Sequence, residues 1–355
     1  MDPVTHVVTG VALSQMVPAP ARGLAALAGV AYALLPDLDY LLVYHDRLAF
    51  LRHHRGFTHS LAGLVLFACL GAGLGRLLGG PRWTRPIFLI GLLVLASHLF
   101  LDLATSYGTQ ILNPFSRTKF TLDWLFIIDP VITALMAVAA LSGLFFGGGS
   151  RSAPWCFLSL AVVYVLLCGF YHHQALALAR QIFPAAESGV SLAALPQPFS
   201  FRRWQLLAAT PQGIRQAFVE LPYLPMSLNP PPPREIEVRL ESRSTPRVPP
   251  TDYRPLSSLE IFRWSGASPQ EGKLSPESRS LLKTYLDFAR FPLWTVKTEE
   301  SQSQTLVLVD LRFSVPGRPL PFVLRLKVNQ EGRPVSWDLS HSSRGRLAPI
   351  KSGSP

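Results

Sequence analysis

Two long stretches nearly free of charge limit this chain to folds that a membrane can accept. Ser60 to Leu78 carries no charge before Arg76, and Pro86 to Ala104 is interrupted only by His98 and Asp102. Each approaches the roughly 20 residues that a helix needs to cross a hydrocarbon core, where backbone groups must bond within their own segment. Ile128 to Phe146 and Pro154 to Gly169 supply two further candidates, parted by the breaker Gly147-Gly148-Gly149-Ser150. Ahead of them, Val4 to Val17 ends at Pro18-Ala19-Pro20 and Gly23 to Leu35 resumes an apolar helical run. Two short helices around such a breaker predict a hairpin that returns the chain to its starting side. The expectation is a polytopic α-helical membrane bundle, about four to five spans plus this N-terminal hairpin, occupying residues 1–173.

The composition changes beyond that point. Most prolines and almost all lysines fall in the second half. Residues 174–255 read as a polar helix, a hairpin formed by Arg203 to Ala209 and Ile214 to Leu221, and a Pro-rich connector that should be extended and mobile. Residues 256–341 read as a small, water-exposed α+β module: a helix from Ser275, then strands near Leu293 to Thr298, Thr305 to Ser314, Pro321 to Asn329 and Pro334 to Leu339. The tail, 342–355, has the composition of a disordered segment.

A net charge of +11 raises nucleic acid as a partner, but the arginines are scattered through short loops and a Pro-rich tail, which excludes a compact nucleic-acid footprint and suits membrane flanks better. Cys69, Cys156 and Cys168 all lie in apolar segments, so no disulfide framework and no Cys-based zinc motif is expected. Met1-Asp2-Pro3 lacks the basic start of a secretory signal, so insertion should depend on the later helices. Arg and Lys near the span ends are almost balanced between the two sides, so the positive-inside rule assigns no orientation.

The chemistry concentrates at one end of the predicted bundle. Arg52-His53-His54-Arg55-Gly56-Phe57-Thr58-His59-Ser60 puts three imidazoles and two guanidiniums beside an apolar span. By itself it is equally a metal site or a solvated basic loop that holds a topology. His98 and Asp102, at i and i+4, share one helix face, where they either reach one metal ion or form a private pair between helices. Pro36-Asp37-Leu38-Asp39 places two acids at a helix C-terminus, against its dipole, so a compensating cation is needed unless water solvates them. Asp123 and Asp129 fall on the same side and are ordinary boundary residues in the simpler reading. His53 precedes the motif proper, while His45, His172, His173 and His341 read as structural or solvated.

If the helices alternate in direction, His6, Asp37, Asp39, His54, His59, His98 and Asp102 meet at one end from four helices, which the topology-loop reading does not predict. Seven N/O ligands exceed one tetrahedral site, so two or three ions sharing carboxylates are expected; zinc suits the set, and manganese or iron also accept it. Clustered ions of this kind lower the pKa of bound water to neutrality and clamp both oxygens of a displacement, as phosphoester hydrolysis requires. Arg55 beside them is suited to hold a phosphate oxygen bidentately, or equally to touch a lipid headgroup.

At these residues the chain resembles the YdjM-type family of inner-membrane proteins, regarded by inference as metal-dependent hydrolases. The likeness rests on Thr5-His6 with Gly10, Pro36-Asp37-Leu38-Asp39, His54-Arg55-Gly56-Phe57-Thr58-His59-Ser60, Ser97-His98 with Asp102, Tyr107-Gly108 and Asn113-Pro114, and covers roughly residues 1 to 150. That family is in turn remotely similar to the zinc phospholipase C and P1 nuclease group, whose His and Asp ligands hold three metals. The resemblance implies a bacterial inner-membrane location and metal ligands at the seven residues above.

The leading expectation is a membrane-embedded metal-dependent hydrolase, phosphodiesterase- or phospholipase-like, acting on a phosphoester of a lipid or lipid-linked substrate. Metal-bound hydroxide would attack, Asp37 or Asp39 would orient it, and Arg55 would steady the phosphate. Membrane lipid is the environment and the expected substrate source, with nucleic acid excluded. The alternatives are a non-catalytic metal-binding membrane protein, a sensor or ion handler, and a structural anchor for the C-terminal module.

Overall fold

The computed structural model describes residues 1–43, 47–145, 152–183, 191–210, 213–223, 230–240, 252–266, 274–298, 303–340 and 348–349. The chain divides into two compact units: one of residues 1–45, 53–172 and 198–201, the other of 46–52, 173–197 and 202–355.

The first unit is helical and begins with the expected hairpin. Helix α1, Pro3–Ser14, has proline in its first turn and is capped by the Asp2 side chain, which accepts from the Thr5 backbone N–H. Helix α2, Arg22–Leu34, packs against it where two glycines meet. A Cβ on Gly10 would stand 2.5 Å from the Gly29 carbonyl oxygen, and one on Gly29 would stand 2.4 Å from that of Gly10, so only glycine permits this approach. The close crossing holds α1 against α2 and so fixes the height of His6.

The chain then makes a 3-10 turn at Pro36–Leu38 and a short helix α3, Asp39–Val43. After α4, Arg47–His53, which except for His53 belongs to the second unit, a second 3-10 turn, Phe57–His59, leads into α5, Leu61–Gly79, which Ser60 caps by accepting from Gly63 N–H. Helix α6, Pro81–Ala104, is followed by α7, Pro130–Phe145, and α8, Ser152–Ile182. The tyrosine ring of α2, Tyr32, wedges between α5 and α6, where Gly71 and Gly91 leave room for it.

The expected span count needs correction. Among the described residues three helices, Leu61–Gly79, Pro81–Ala104 and Pro154–Ile182, are long and apolar enough to cross a membrane, not four to five. α7, expected as a further span, has 16 residues; at about 1.5 Å per residue that falls short of a core of about 30 Å. The polar helix expected after Tyr171 is no separate element, because α8 runs on without a break to Ile182.

The second unit is rich in strands. One five-stranded sheet has the order β1-β2-β3-β5-β4, built from Ser191–Gln197, Ser200–Thr210, Gly213–Glu220, Glu260–Ser265 and Arg234–Arg239. The predicted hairpin is the β2–β3 pair, closed by Thr210 opposite Gly213. The other sheet, β10-β9-β8-β7-β6, comprises Ala348–Pro349, Pro334–Ser340, Val323–Val328, Gln304–Asp310 and Pro292–Thr298. A single core joins them, with Leu207, Phe218 and Trp264 from the first sheet against Leu293, Val307 and Val309 from the second. Helix α9, Pro276–Phe288, starts at the Ser275 cap and buries Leu282, Tyr285 and Phe288.

Two expectations in this unit change. Part of the supposed connector, Arg234–Arg239, is strand β4, paired in parallel with β5. Of the supposed disordered tail only Ala348 and Pro349 lie within the described residues, and they pair with β9. The other tail residues, like His45 and His341, lie outside them.

Candidate metal centre

All seven predicted ligand residues come together in the helical unit. His6 is one turn into α1, Asp37 and Asp39 sit on and just after the first 3-10 turn, His54 precedes the second and His59 ends it, and His98 and Asp102 stand one turn apart on α6. Five of them can be grouped as metal ligands, His6 with Asp37 and His98, and His59 with His98 and Asp102. All are buried except Asp37, whose side chain is 14% exposed.

The innermost atoms form a compact polyhedron. His59 Nε2 lies 3.2 Å from His98 Nε2. Asp102 Oδ2 is 3.2 Å from the first and 3.4 Å from the second, and Asp37 Oδ1 is 3.3 Å and 3.9 Å from them. Donors about 2.0–2.1 Å from a tetrahedral zinc-sized ion stand roughly 3.3–3.4 Å apart, close to these edges.

The rings of His59 and His98 are turned so that their Nε2 atoms face inward. His98 Nδ1 is 2.9 Å from the Ala33 carbonyl oxygen, which only accepts, so the proton sits on Nδ1 and Nε2 is left as a donor atom for a metal. His59 Nδ1 lies 3.0 Å from Thr58 Oγ1 and 3.5 Å from Asp39 Oδ2, and His54 Nδ1 lies 3.0 Å from Asp39 Oδ1. Asp39 therefore faces the outer nitrogens of two imidazoles, the usual arrangement that fixes a metal-binding histidine. Its Oδ2 also accepts from the Arg55 backbone N–H at 3.1 Å and from the Thr58 hydroxyl at 3.3 Å.

Two buried polar atoms support the fit to a cation. His6 Nδ1 and Asp102 Oδ2 make no hydrogen bond, although the His6 ring stacks on His98 with centroids 3.7 Å apart. Asp102 Oδ1, by contrast, is crowded: it accepts from the chain's amino group at Met1, from Arg55 Nη2 at 2.7 Å and lies 3.3 Å from His6 Nε2. The cluster sets three carboxylates, Asp37, Asp39 and Asp102, against the guanidinium of Arg55 and the Met1 amino group. What negative charge remains beside the imidazoles is taken up either by a proton on His59 or by a divalent ion.

Arg55 is placed differently from a phosphate contact. It is only 3% exposed, and its guanidinium is committed inward to the Asp102 carboxylate, the Asp102 carbonyl at 3.1 Å and Thr105 Oγ1 at 2.9 Å. It also lies 4.9 Å from the centre of the Tyr107 ring. Its backbone adopts φ of +60°, which aims its N–H at Asp39. Asp129 is a helix cap, accepting from Val131 and Ile132 N–H at 3.0 and 3.2 Å and from Tyr164 O–H at 2.9 Å.

Titration follows from these contacts. Burial works against ionisation of Asp37, yet its hydrogen bond with His59 and the nearby His98 and His59 hold it at about 2. Burial pushes His54 down despite Asp39. Burial also opposes protonation of His59, but its contacts with Asp102 and Asp37 outweigh it and raise the imidazole.

Sequence reasoning missed the supports: Thr58, Thr105, Tyr107 and the Ala33 carbonyl. Thr58 and Tyr107 lie inside the quoted motifs, a signal that was available, whereas a backbone carbonyl leaves none. The loop carrying Tyr107 closes on the turn through Gln110 N–H to the Arg55 carbonyl and Leu61 N–H to the Ile111 carbonyl, both at 3.0 Å.

Three apolar helices able to span a membrane and a buried His/Asp cluster define a class, that of helical membrane proteins with a cluster able to hold a metal ion. Residues 1–175, just under half of the chain, match the profile of the YdjM inner membrane protein family, and with the three apolar helices able to cross a membrane this makes the protein an inner-membrane protein. Over 222 residues the chain is 28% identical to a Bacillus subtilis (strain 168) protein described as uncharacterized protein YfhP, covering 59% of this chain and 65% of that one. The chain thus spans slightly less than two thirds of that relative. No solved structure matches, and the remoter likeness to the zinc phospholipase C and P1 nuclease group is not shown.

Proposed function

We propose that the centre holds two or three divalent ions, zinc by ligand preference, and that the protein is a membrane hydrolase acting on the phosphoester of a lipid or lipid-linked molecule. The observation that carries this is the approach of His59 Nε2 and His98 Nε2 to 3.2 Å, beside Asp102 Oδ2 and Asp37 Oδ1. Two imidazole nitrogens this close share either a proton or a metal ion, and the two carboxylate oxygens beside them would complete an ion's shell.

His6, Asp37, His59, His98 and Asp102 would hold the ions, with His54 beside them. Bound there, such ions supply Lewis acidity and make water a nucleophile at neutral pH. Asp39 keeps His54 and His59 in the tautomer that offers Nε2. Arg55 holds Asp102 in place and balances part of its charge, which makes it a positioning residue. Asp37, ionised throughout the physiological range and partly open to solvent, would orient an attacking water.

Metal analysis of the purified protein, then a phosphodiester and phospholipid screen with and without chelator, tests the proposal. At least one ion per chain, lost in His59→Ala, and chelator-sensitive turnover are expected. Less than one ion per chain, unchanged in His59→Ala, would sink the metal reading. Bound metal without turnover on any ester would leave a non-catalytic centre, a sensor or ion-handling protein.

A further inference from the structure

A cavity of about 430 Å³ lies among α1, α6, α7 and α8, and nothing so far accounts for it. Its wall is hydrocarbon, and the two hydroxyls in it are turned to their own helices: Thr9 Oγ1 donates to the Thr5 carbonyl at 2.7 Å and Ser97 Oγ to the Val94 carbonyl at 2.8 Å. A ligand there finds no polar partner, so water gains nothing by entering and an apolar chain does.

The cavity's position says where such a chain comes from and where it leads. Val162 and Leu166, 59% and 60% exposed on the membrane-spanning α8, belong to its lining, so it opens on the flank that faces lipid. Its lining includes Leu101 and Ser97, which precede Asp102 and His98 in sequence, and Thr9, one turn from His6; the cluster residues themselves do not line it. An apolar cavity of about 150 Å³ accepts a six-carbon ring, so this one has room for roughly fifteen or more carbons.

We propose that this cavity binds one hydrocarbon chain of a phospholipid and so brings its phosphoester to the metal centre. That the bound lipid is a substrate rests on the hydrolase reading above; that a chain is bound does not. The chain enters sideways from the bilayer between α6 and α8 and runs along α1 toward the cluster. Specificity then comes from chain length and not from headgroup contacts alone.

The test uses the full-length protein in phosphatidylcholine nanodiscs doped with a phospholipid that carries a photoactivatable diazirine on one acyl chain. Label should concentrate on the α7 and α8 peptides that contain Met136 and Leu158, above that on the exposed α5 face at Leu70 and Leu74. Filling the cavity with Ala161→Trp, or at its rim with Val162→Trp, should cut that label at least fivefold, with bound metal as the control for folding. In parallel, water-soluble phosphoesters of rising chain length should show KM falling roughly fourfold per methylene in the unsubstituted protein. The slope should flatten below twofold in Ala161→Trp. Label no denser than on α5, label unchanged by both substitutions, or crosslinked dimers in its place would overturn the proposal. Concentrated, Trp-sensitive label with no turnover on any ester leaves the chain site standing and removes the hydrolase. Chelator-sensitive turnover with diffuse label does the reverse.

Discussion

Each half of the molecule buries an arginine against an aspartate, and the two contacts are built to different ends. In the strand-rich unit, Arg312 meets Asp310 at 3.0 Å, and the carboxylate also accepts from the backbone N–H groups of Arg290, Phe291 and Arg312 at 3.0–3.1 Å. The guanidinium lies 4.9 and 4.5 Å from the ring centres of Phe288 and Phe313 and donates to the Phe288 carbonyl. That pair is closed, with both carboxylate oxygens engaged by donors. In the helical unit, Arg55 meets one oxygen of Asp102 at 2.7 Å, while the other makes no hydrogen bond and faces two imidazoles. A buried charge is expensive unless it is fully partnered, so an open pair implies a partner of another kind. The closed pair is complete within the fold, and the open pair leaves a carboxylate oxygen that a metal ion could take.

Asp102→Asn separates the two most sharply. It removes the charge at nearly constant shape, so bound metal should fall below one ion per chain and any chelator-sensitive turnover should drop by more than the roughly 10–100-fold that loss of an outer partner costs. Elemental analysis against protein concentration reads the first outcome. Full metal retention in Asp102→Asn would remove the distinction between the pairs.

The reciprocal substitution, Arg312→Leu, should cost about 3–5 kcal/mol of stability by stranding the Asp310 charge. Metal content should not change, because Arg312 belongs to the other compact unit. Thermal unfolding of the full chain in detergent, with metal analysis on the same sample, checks both. A loss of metal equal to that of Asp102→Asn would break the comparison from the other side.

How much of this was legible beforehand depends on what kind of signal each feature leaves. The ligand residues were legible because His and Asp are costly in apolar segments, and helix alternation alone brings His6, Asp37, His59 and Asp102 to one end. Their division of labour was not. Asp37 and Asp39 differ by two positions in sequence, yet a 3-10 turn aims one at the cluster and the other at the backs of His54 and His59. Arg55 looked available for phosphate because sequence does not show that its side chain folds back to Asp102. The span count failed on length, since α7 is apolar enough but has 16 residues. Strand β4 was hidden because Arg234–Arg239 alternates charge with apolar residues beside a proline run, and its pairing to β5 is non-local.

A smaller effect tests whether the centre depends on how α1 is seated. Gly29→Val places two methyls where the Gly10 carbonyl now lies, so α1 and α2 must move apart. Overpacking of this kind costs roughly 1–3 kcal/mol, and the shift carries His6 with it. Thermal stability should fall and metal affinity with it, whereas Gly23→Ala, where a Cβ meets nothing within 4 Å, should leave metal binding unchanged. Equal behaviour of the two variants would show that His6 height does not matter to the site.

The smallest expected change is the most informative about the open pair's surroundings. Asp39 touches the outer nitrogens of His54 and His59, not their inward ones, so it should act through ligand orientation and basicity. Asp39→Asn keeps the shape and one acceptor oxygen but loses the charge. Loss of such an outer partner typically weakens metal binding 10–100-fold without abolishing it. Competition with a chelator of known affinity measures that shift, and Asp37→Asn provides the contrast: stoichiometry itself should fall there, while Asp39→Asn should still reach the full count at higher metal concentration. Should Asp39→Asn lose stoichiometry as Asp37→Asn does, Asp39 is itself a ligand. The line between carboxylates that hold an ion and those that aim the histidines would then have to be redrawn to include it.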